Sequence, residues 1–133
     1  MKIKNILIMF IFMTIVLVGC NRNYKFGIDI KDYSNIISIE SEGARVKKDI
    51  LSKDFKDKVQ KLINNLNESN FKKVSYESLK GNSPTIIFDN FTFEVSKKHI
   101  RIIKEDNKYQ YNSKVKVDSL IELQNLLNDE LGI

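Results

Sequence analysis

The chain holds one cysteine and one histidine, Cys20 and His99, the side-chain types that most often supply a nucleophile, a proton shuttle or a soft metal ligand. A single imidazole cannot build a His-rich zinc site. His99 follows Lys97 and Lys98, a context that reads as an exposed turn. Carboxylates are adjacent at Glu105-Asp106 and at Asp129-Glu130, whereas acid–base hydrolysis needs two carboxyl groups set across a cleft, usually from distant segments. Asp89-Asn90 and Asp106-Asn107 offer oxygen ligands, but the ligand spacing of an EF-hand loop is missing, and turn formation accounts for all four. There is no Gly-rich phosphate loop and no Gly-x-Ser-x-Gly elbow. These residues assign no catalytic group, no metal and no cofactor, and the reading is of a protein that is not an enzyme.

Cys20 has a different context. It closes Leu17-Val18-Gly19-Cys20, at the end of an apolar run that begins at Ile6 behind Lys2 and Lys4. Two lysines followed by an apolar stretch shorter than the roughly 20 residues of a membrane span are the layout of an export signal. Gly19 gives a processing enzyme close access to the backbone, and the Cys20 thiol can carry a diacylglyceryl group. The four residues resemble the lipobox of bacterial lipoproteins. That resemblance implies cleavage before Cys20 by a type II signal peptidase and lipidation of Cys20. Two or more acyl chains then hold the protein on the extracytoplasmic side of the cell membrane, where one chain would be marginal. An ordinary secretory signal, wanting an Ala-x-Ala-like site, and an uncleaved anchor are the alternatives.

The expected organisation is a signal peptide over 1–19, a lipidated Cys20 with a polar tether over 20–34, and one domain over 35–133. Tyr24, Phe26, Ile28 and Ile30 alternate, so part of the tether can also pair as an edge strand. With Cys20 committed to lipid, the domain has no disulfide. The formal charge of +5 falls by two once Lys2 and Lys4 are removed, and both signs are interspersed along the remainder. A nucleic-acid binder gathers its Lys and Arg on one face, so nucleic acid is not expected as a partner. The weak basic excess leaves open an association with anionic wall polymer or lipid headgroups.

Periodicity then supplies the elements. Ile36 to Ile39 is a β-branched strand followed by the turn Ser41-Glu42-Gly43, and 44–51 is a second extended piece or a loop. Ser52 caps a helix over 53–66 whose apolar face is Phe55, Val59, Leu62, Ile63 and Leu66. Phe71 to Tyr76, with the polar Lys72, Lys73 and Ser75, reads as an edge strand. After the break Gly81-Asn82-Ser83-Pro84 come strands at Thr85–Phe88, Phe91–Ser96, His99–Lys104 and Lys108–Tyr111, joined by short turns as in an antiparallel meander. A last helix opens near Asp118 or Ser119, with capping-box spacing from Ser119 to Glu122, and stops at Gly132.

This order predicts an α+β domain, an antiparallel sheet of about four to five strands with two amphipathic helices on one face, in the order β-α-β(3-4)-α. Phe91, Phe93, Val95, Ile100 and Ile102 would face the helices. Thr92, Glu94, Arg101 and Gln110, joined by Ile87 and Ile103, would face away as a possible binding surface, unless a second layer covers them. The faces of Tyr109 and Tyr111 depend on register. The lipobox, the helix ending in Leu62-Ile63-Asn64, the strand-rich centre and the Leu-rich last helix together resemble small uncharacterised YhfM-like lipoproteins, a family with no established activity to carry over. Three functions remain in view: an envelope protein-interaction module, an electrostatic binder of wall polymer or headgroups through the Lys-rich helix, and a small hydrolase.

Overall fold

The computed structural model describes residues 24–29, 35–77, 81 and 83–133. The expectations for the signal peptide, for Leu17, Val18, Gly19 and Cys20, and for most of the tether lie outside the described residues. Two compact units divide the chain, Met1–Ile30 and Lys31–Ile133.

In the first unit, β1 (Tyr24–Lys25) and β2 (Ile28–Asp29) form a two-stranded antiparallel hairpin. Its two turn residues, Phe26 and Gly27, both have positive φ, 54° and 73°, which matches the right-handed twist of the flanking strands.

The second unit is an α+β domain built on a seven-stranded, wholly antiparallel sheet. Its strands are β3 (Ile36–Ser41), β4 (Val46–Lys48), β5 (Phe71–Val74), β6 (Thr85–Phe88), β7 (Phe91–Val95), β8 (His99–Lys104) and β9 (Asn107–Ser113), in the spatial order β4-β3-β6-β7-β8-β9-β5. Helix α1 (Lys53–Asn64) connects the two edge strands, and α2 (Asp118–Leu131) closes the chain. The expected strand count of four to five is therefore too low. The order is ββαβββββα, because Val46–Lys48, a lysine-rich stretch that resembles a loop, pairs with β3 through Ser41↔Val46 and Ile39↔Lys48.

Register sorts the side chains into two faces. Ile39, Ile86, Phe93 and Ile102 stand directly across from one another through four adjacent strands, and all are fully buried. Val95 and Ile100 extend this core, and Phe88 stacks on Phe91 with ring centroids 4.4 Å apart. Tyr111 pairs with Ile100 and Tyr109 with Ile102, which puts both tyrosines on the core side. Against this face lies α2, packed on β3, β4 and β7 with Leu120, Leu123 and Leu127 buried, and α1 packs beside it through Phe55, Val59 and Ile63. Lys48 of β4 also pairs with Glu130 of α2. Among the described residues no helix is long and apolar enough to cross a membrane.

The helix ends follow local chemistry. Ser52 Oγ accepts from the Phe55 amide at 3.1 Å, the expected cap of α1, and the helix stops at Asn64 rather than Leu66. The capping box expected at Ser119 does not form. Val117 is the N-cap of α2 and makes no side-chain cap bond; it is 6% exposed, so that position is committed to packing.

Candidate functional site

The face turned away from the core is organised in two rows across the strands. One runs Ser38, Ile87, Thr92, Ile103, Lys108; the next runs Glu40, Thr85, Glu94, Arg101, Gln110, Val74. Every residue proposed from sequence as a binding surface (Ile87, Thr92, Glu94, Arg101, Ile103, Gln110) thus lies on this face. A bulge between Ile36 and Ser38 lets Ile36 stay on the core side with Phe88 while Ser38 joins the outer row.

Their accessibility differs. Ile87, Thr92, Glu94 and Ile103 are half-buried, whereas Arg101 and Gln110 are 4% and 3% exposed. The cause is the segment that leaves β5. Its Glu77 amide donates to Gln110 Oε1 at 2.9 Å, and the Tyr76 ring lies 5.9 Å from the Arg101 guanidinium and 5.6 Å from Lys108 Nζ. Beneath Tyr76, Arg101 donates from Nη1 to Glu94 Oε1 at 2.8 Å and from Nε to Gln110 Oε1 at 3.1 Å, while Gln110 Nε2 donates to Asn112 Oδ1 at 3.0 Å. The arginine charge is balanced and its fork is held in one geometry.

His99 is not the exposed turn residue expected from its neighbours. It begins β8, pairs with Asn112 and is half-buried. Its Nε2 is buried without a hydrogen bond, 3.6 Å from the same Glu94 oxygen that Arg101 engages. The turn residues behave as turns: Asp89 accepts from Asn35 Nδ2 at 2.9 Å, and Glu105 adopts φ 55° at the β8–β9 corner. Among the described residues no group of three or more His, Cys, Asp or Glu is placed to hold a metal ion.

Beside the Arg101 network the same face opens into a cleft of about 640 Å³, lined by Glu40, Glu42, Arg45, Tyr76, Thr85, Glu94 and Arg101 together with Gly43, Gly81 and Ser83. Glu40, Glu42, Arg45, Tyr76 and Thr85 were not singled out from sequence. A polar position in a strand that alternates, as Glu40 is, marks an outward face; that β3 lies against β6, far along the chain, has no local signal. A second, shallower groove of about 490 Å³ lies on the helical layer between Lys58, Lys61, Leu62, Asn65, Glu122 and Leu126.

Comparison with known proteins adds no relative: no family model, no curated protein and no solved structure matches the chain.

Proposed function

We propose that this chain is a lipoprotein held on the extracytoplasmic side of a bacterial cell membrane by acyl chains on Cys20, and that it acts without catalysis by engaging an envelope protein through the sheet face opposite its helices. The observation that carries the second half is the row Ile87, Thr92, Ile103: two aliphatic side chains flank a threonine on adjacent strands, only half-buried, on the face opposite the one that the described helices α1 and α2 cover. Aliphatic surface rimmed by polar groups is what partner surfaces present. The first half rests on Leu17-Val18-Gly19-Cys20 and the apolar run before it.

The electrostatic alternative draws less support. Lys53, Lys56, Lys58 and Lys61 of α1 are interleaved with Asp54 and Asp57, Lys58 pairs with Asp54 at 3.2 Å, and the neighbouring α2 carries Asp118, Glu122, Asp129 and Glu130 with no basic residue. The helical layer is therefore not a basic surface. A hydrolase would use carboxylates free to exchange protons, and one of the three carboxylates of the cleft, Glu94, is tied to Arg101.

The test is capture of envelope proteins by the full-length chain in detergent, compared with the double variant Ile87→Asp/Ile103→Asp. The expected result is a saturable partner whose binding survives high salt and is lost in the variant, while its thermal unfolding stays cooperative. Undiminished capture by the variant would remove the proposed surface. In cells, Cys20→Ala should release the protein from membranes or leave it as a longer precursor; unchanged processing and fractionation would overturn the lipid anchor.

A further inference from the structure

The cleft beside the Arg101 network is distinct from the Ile87–Thr92–Ile103 row, since neither isoleucine lines it. Its volume of about 640 Å³ falls in the range of small-ligand sites, roughly 300–1,000 Å³. Three features make it more than a surface hollow.

The first is its floor. Arg101, 4% exposed, is fixed by Glu94 and Gln110 and roofed by Tyr76. A buried ion pair seldom adds stability over well-packed apolar residues of similar volume, but it does hold a carboxylate and an aromatic ring in one position, as ligand sites require. The second is charge without partners. Among the described residues, Glu40 and Glu42 make no side-chain hydrogen bond or ion pair, and neither does the Arg45 guanidinium, although opposite charges share the one cleft. Elsewhere on the unit, charges find neighbours readily, as in Lys48–Glu130 and Lys58–Asp54. The third is backbone strain at the rim. Arg45 has φ 54°, a left-handed conformation that is disfavoured for a non-glycine residue, and its amide donates to the Glu42 carbonyl at 3.3 Å to close the β3–β4 turn. Strain of this kind concentrates at ligand clamps. Here it sets the guanidinium at the same cleft mouth as two carboxylates.

We propose that this cleft binds a small zwitterion, a molecule carrying both a free ammonium and a free carboxylate, such as an amino acid or a short peptide with unblocked ends. The ammonium is taken by Glu40 and Glu42, the carboxylate by the Arg45 guanidinium, which presents two parallel donors, and the Thr85 hydroxyl lies between Glu40 and Glu94 in the same row to hydrogen-bond the ligand's polar backbone. Tyr76 supplies the apolar wall. A simple cation would meet Arg45 and Arg101, and a simple anion would meet three glutamates, so a ligand with both charges is the one for which neither wall is repulsive.

The experiment is ligand-observed saturation-transfer NMR on the full-length protein in detergent, with four probes: free alanine, unblocked trialanine, and trialanine acetylated at its N-terminus or amidated at its C-terminus. Saturable binding of alanine or of unblocked trialanine, weakened about tenfold by either block, is expected, since each charge-assisted contact contributes about one factor of ten. Alanine bound more tightly than trialanine identifies a free amino acid as the ligand type; the reverse identifies a peptide end. Glu40→Gln and Arg45→Asn should each weaken binding about tenfold; asparagine tolerates positive φ, so the turn survives the second change. Lys61→Gln, on the opposite layer, should leave it unchanged. Equal signals from blocked and unblocked peptides, binding indifferent to Glu40→Gln and Arg45→Asn, or no saturable binding by any probe would overturn the proposal.

Discussion

At the scale of single residues, the sheet's outer face shows how far side-chain type and alternation reach. Alternation from Phe91 to Lys104 was enough to put Glu94 and Arg101 on the same side as Thr92 and Ile103, because side chains in a strand exchange faces with period two. It could not show that Arg101 and Gln110 are covered, since that depends on Tyr76 and Glu77 folding back after an edge strand, a contact made more than 20 residues away in sequence. Tyr111 was ambiguous for a similar reason: one step of register exchanges its face. The structure sets it on the core side, where burial, then the nearby Glu68 carboxylate, then Tyr109 push its phenol above the ordinary value of 10.0. A native phenol that holds its proton more tightly than the unfolded one stabilises the fold at pH below 10.0, and that contribution is lost as pH rises through the higher native value. Urea unfolding between neutral pH and pH 11 should therefore show wild type losing stability faster above pH 10 than Tyr111→Phe does. Parallel pH profiles for the two proteins would contradict this assignment.

At the scale of elements, the ends of the two helices contrast. The signals for α1 were local and sufficient: Ser52 with Phe55 at its start, an apolar face at helical spacing, and asparagines toward its end. For α2 the same kind of signal misled. Ser119 and Glu122 have capping-box spacing, yet the chain turns into the helix two residues before a Ser119 cap would start it, with Val117 drawn into the core, and the amides of the first turn are left without a side-chain cap. The far end of α2 is the better defined one. Gly132 adopts φ 75°, its amide donates to the Asp129 carbonyl at 3.2 Å, and the Ile133 amide reaches back to Asn128 at 3.0 Å, the paired bonds of a Schellman ending. No atom stands in the way of a Cβ at this position, so the penalty of a side chain there is conformational alone. Gly132→Ala should cost about 1 kcal/mol, read as a lowered urea midpoint with an unchanged slope. A neutral substitution would mean that the last turn is frayed in solution and the motif contributes nothing.

At the scale of the whole sheet, the part least legible in sequence is the order in which strands assemble. The meander β6-β7-β8-β9 follows from its short turns, but α1 carries the chain from one edge of the sheet to the other, so β4 and β5, separated only by that helix and a short 3-10 turn, end up at opposite edges. Both are short, and both carry a lysine pair, Lys47-Lys48 and Lys72-Lys73. An open sheet presents unpaired backbone groups at each edge, a template for pairing with another chain, and short strands bearing lysines oppose that pairing by charge repulsion and desolvation cost. This gives a physical reason for lysine in β5, where propensity alone disfavours it, and explains why β4 was hard to tell from a loop. Lys73 also sits over the Tyr109 ring at 5.0 Å, so the edge lysines cover the flank of the core as well as guarding the edge. If guarding is the larger effect, Lys72→Thr/Lys73→Thr should leave the unfolding midpoint within about 1 kcal/mol of wild type while sedimentation shows concentration-dependent self-association beyond that of wild type. If the variant instead loses stability and sediments as wild type does, the lysines act through Tyr109 and the core flank, and the edge is protected by its shortness alone.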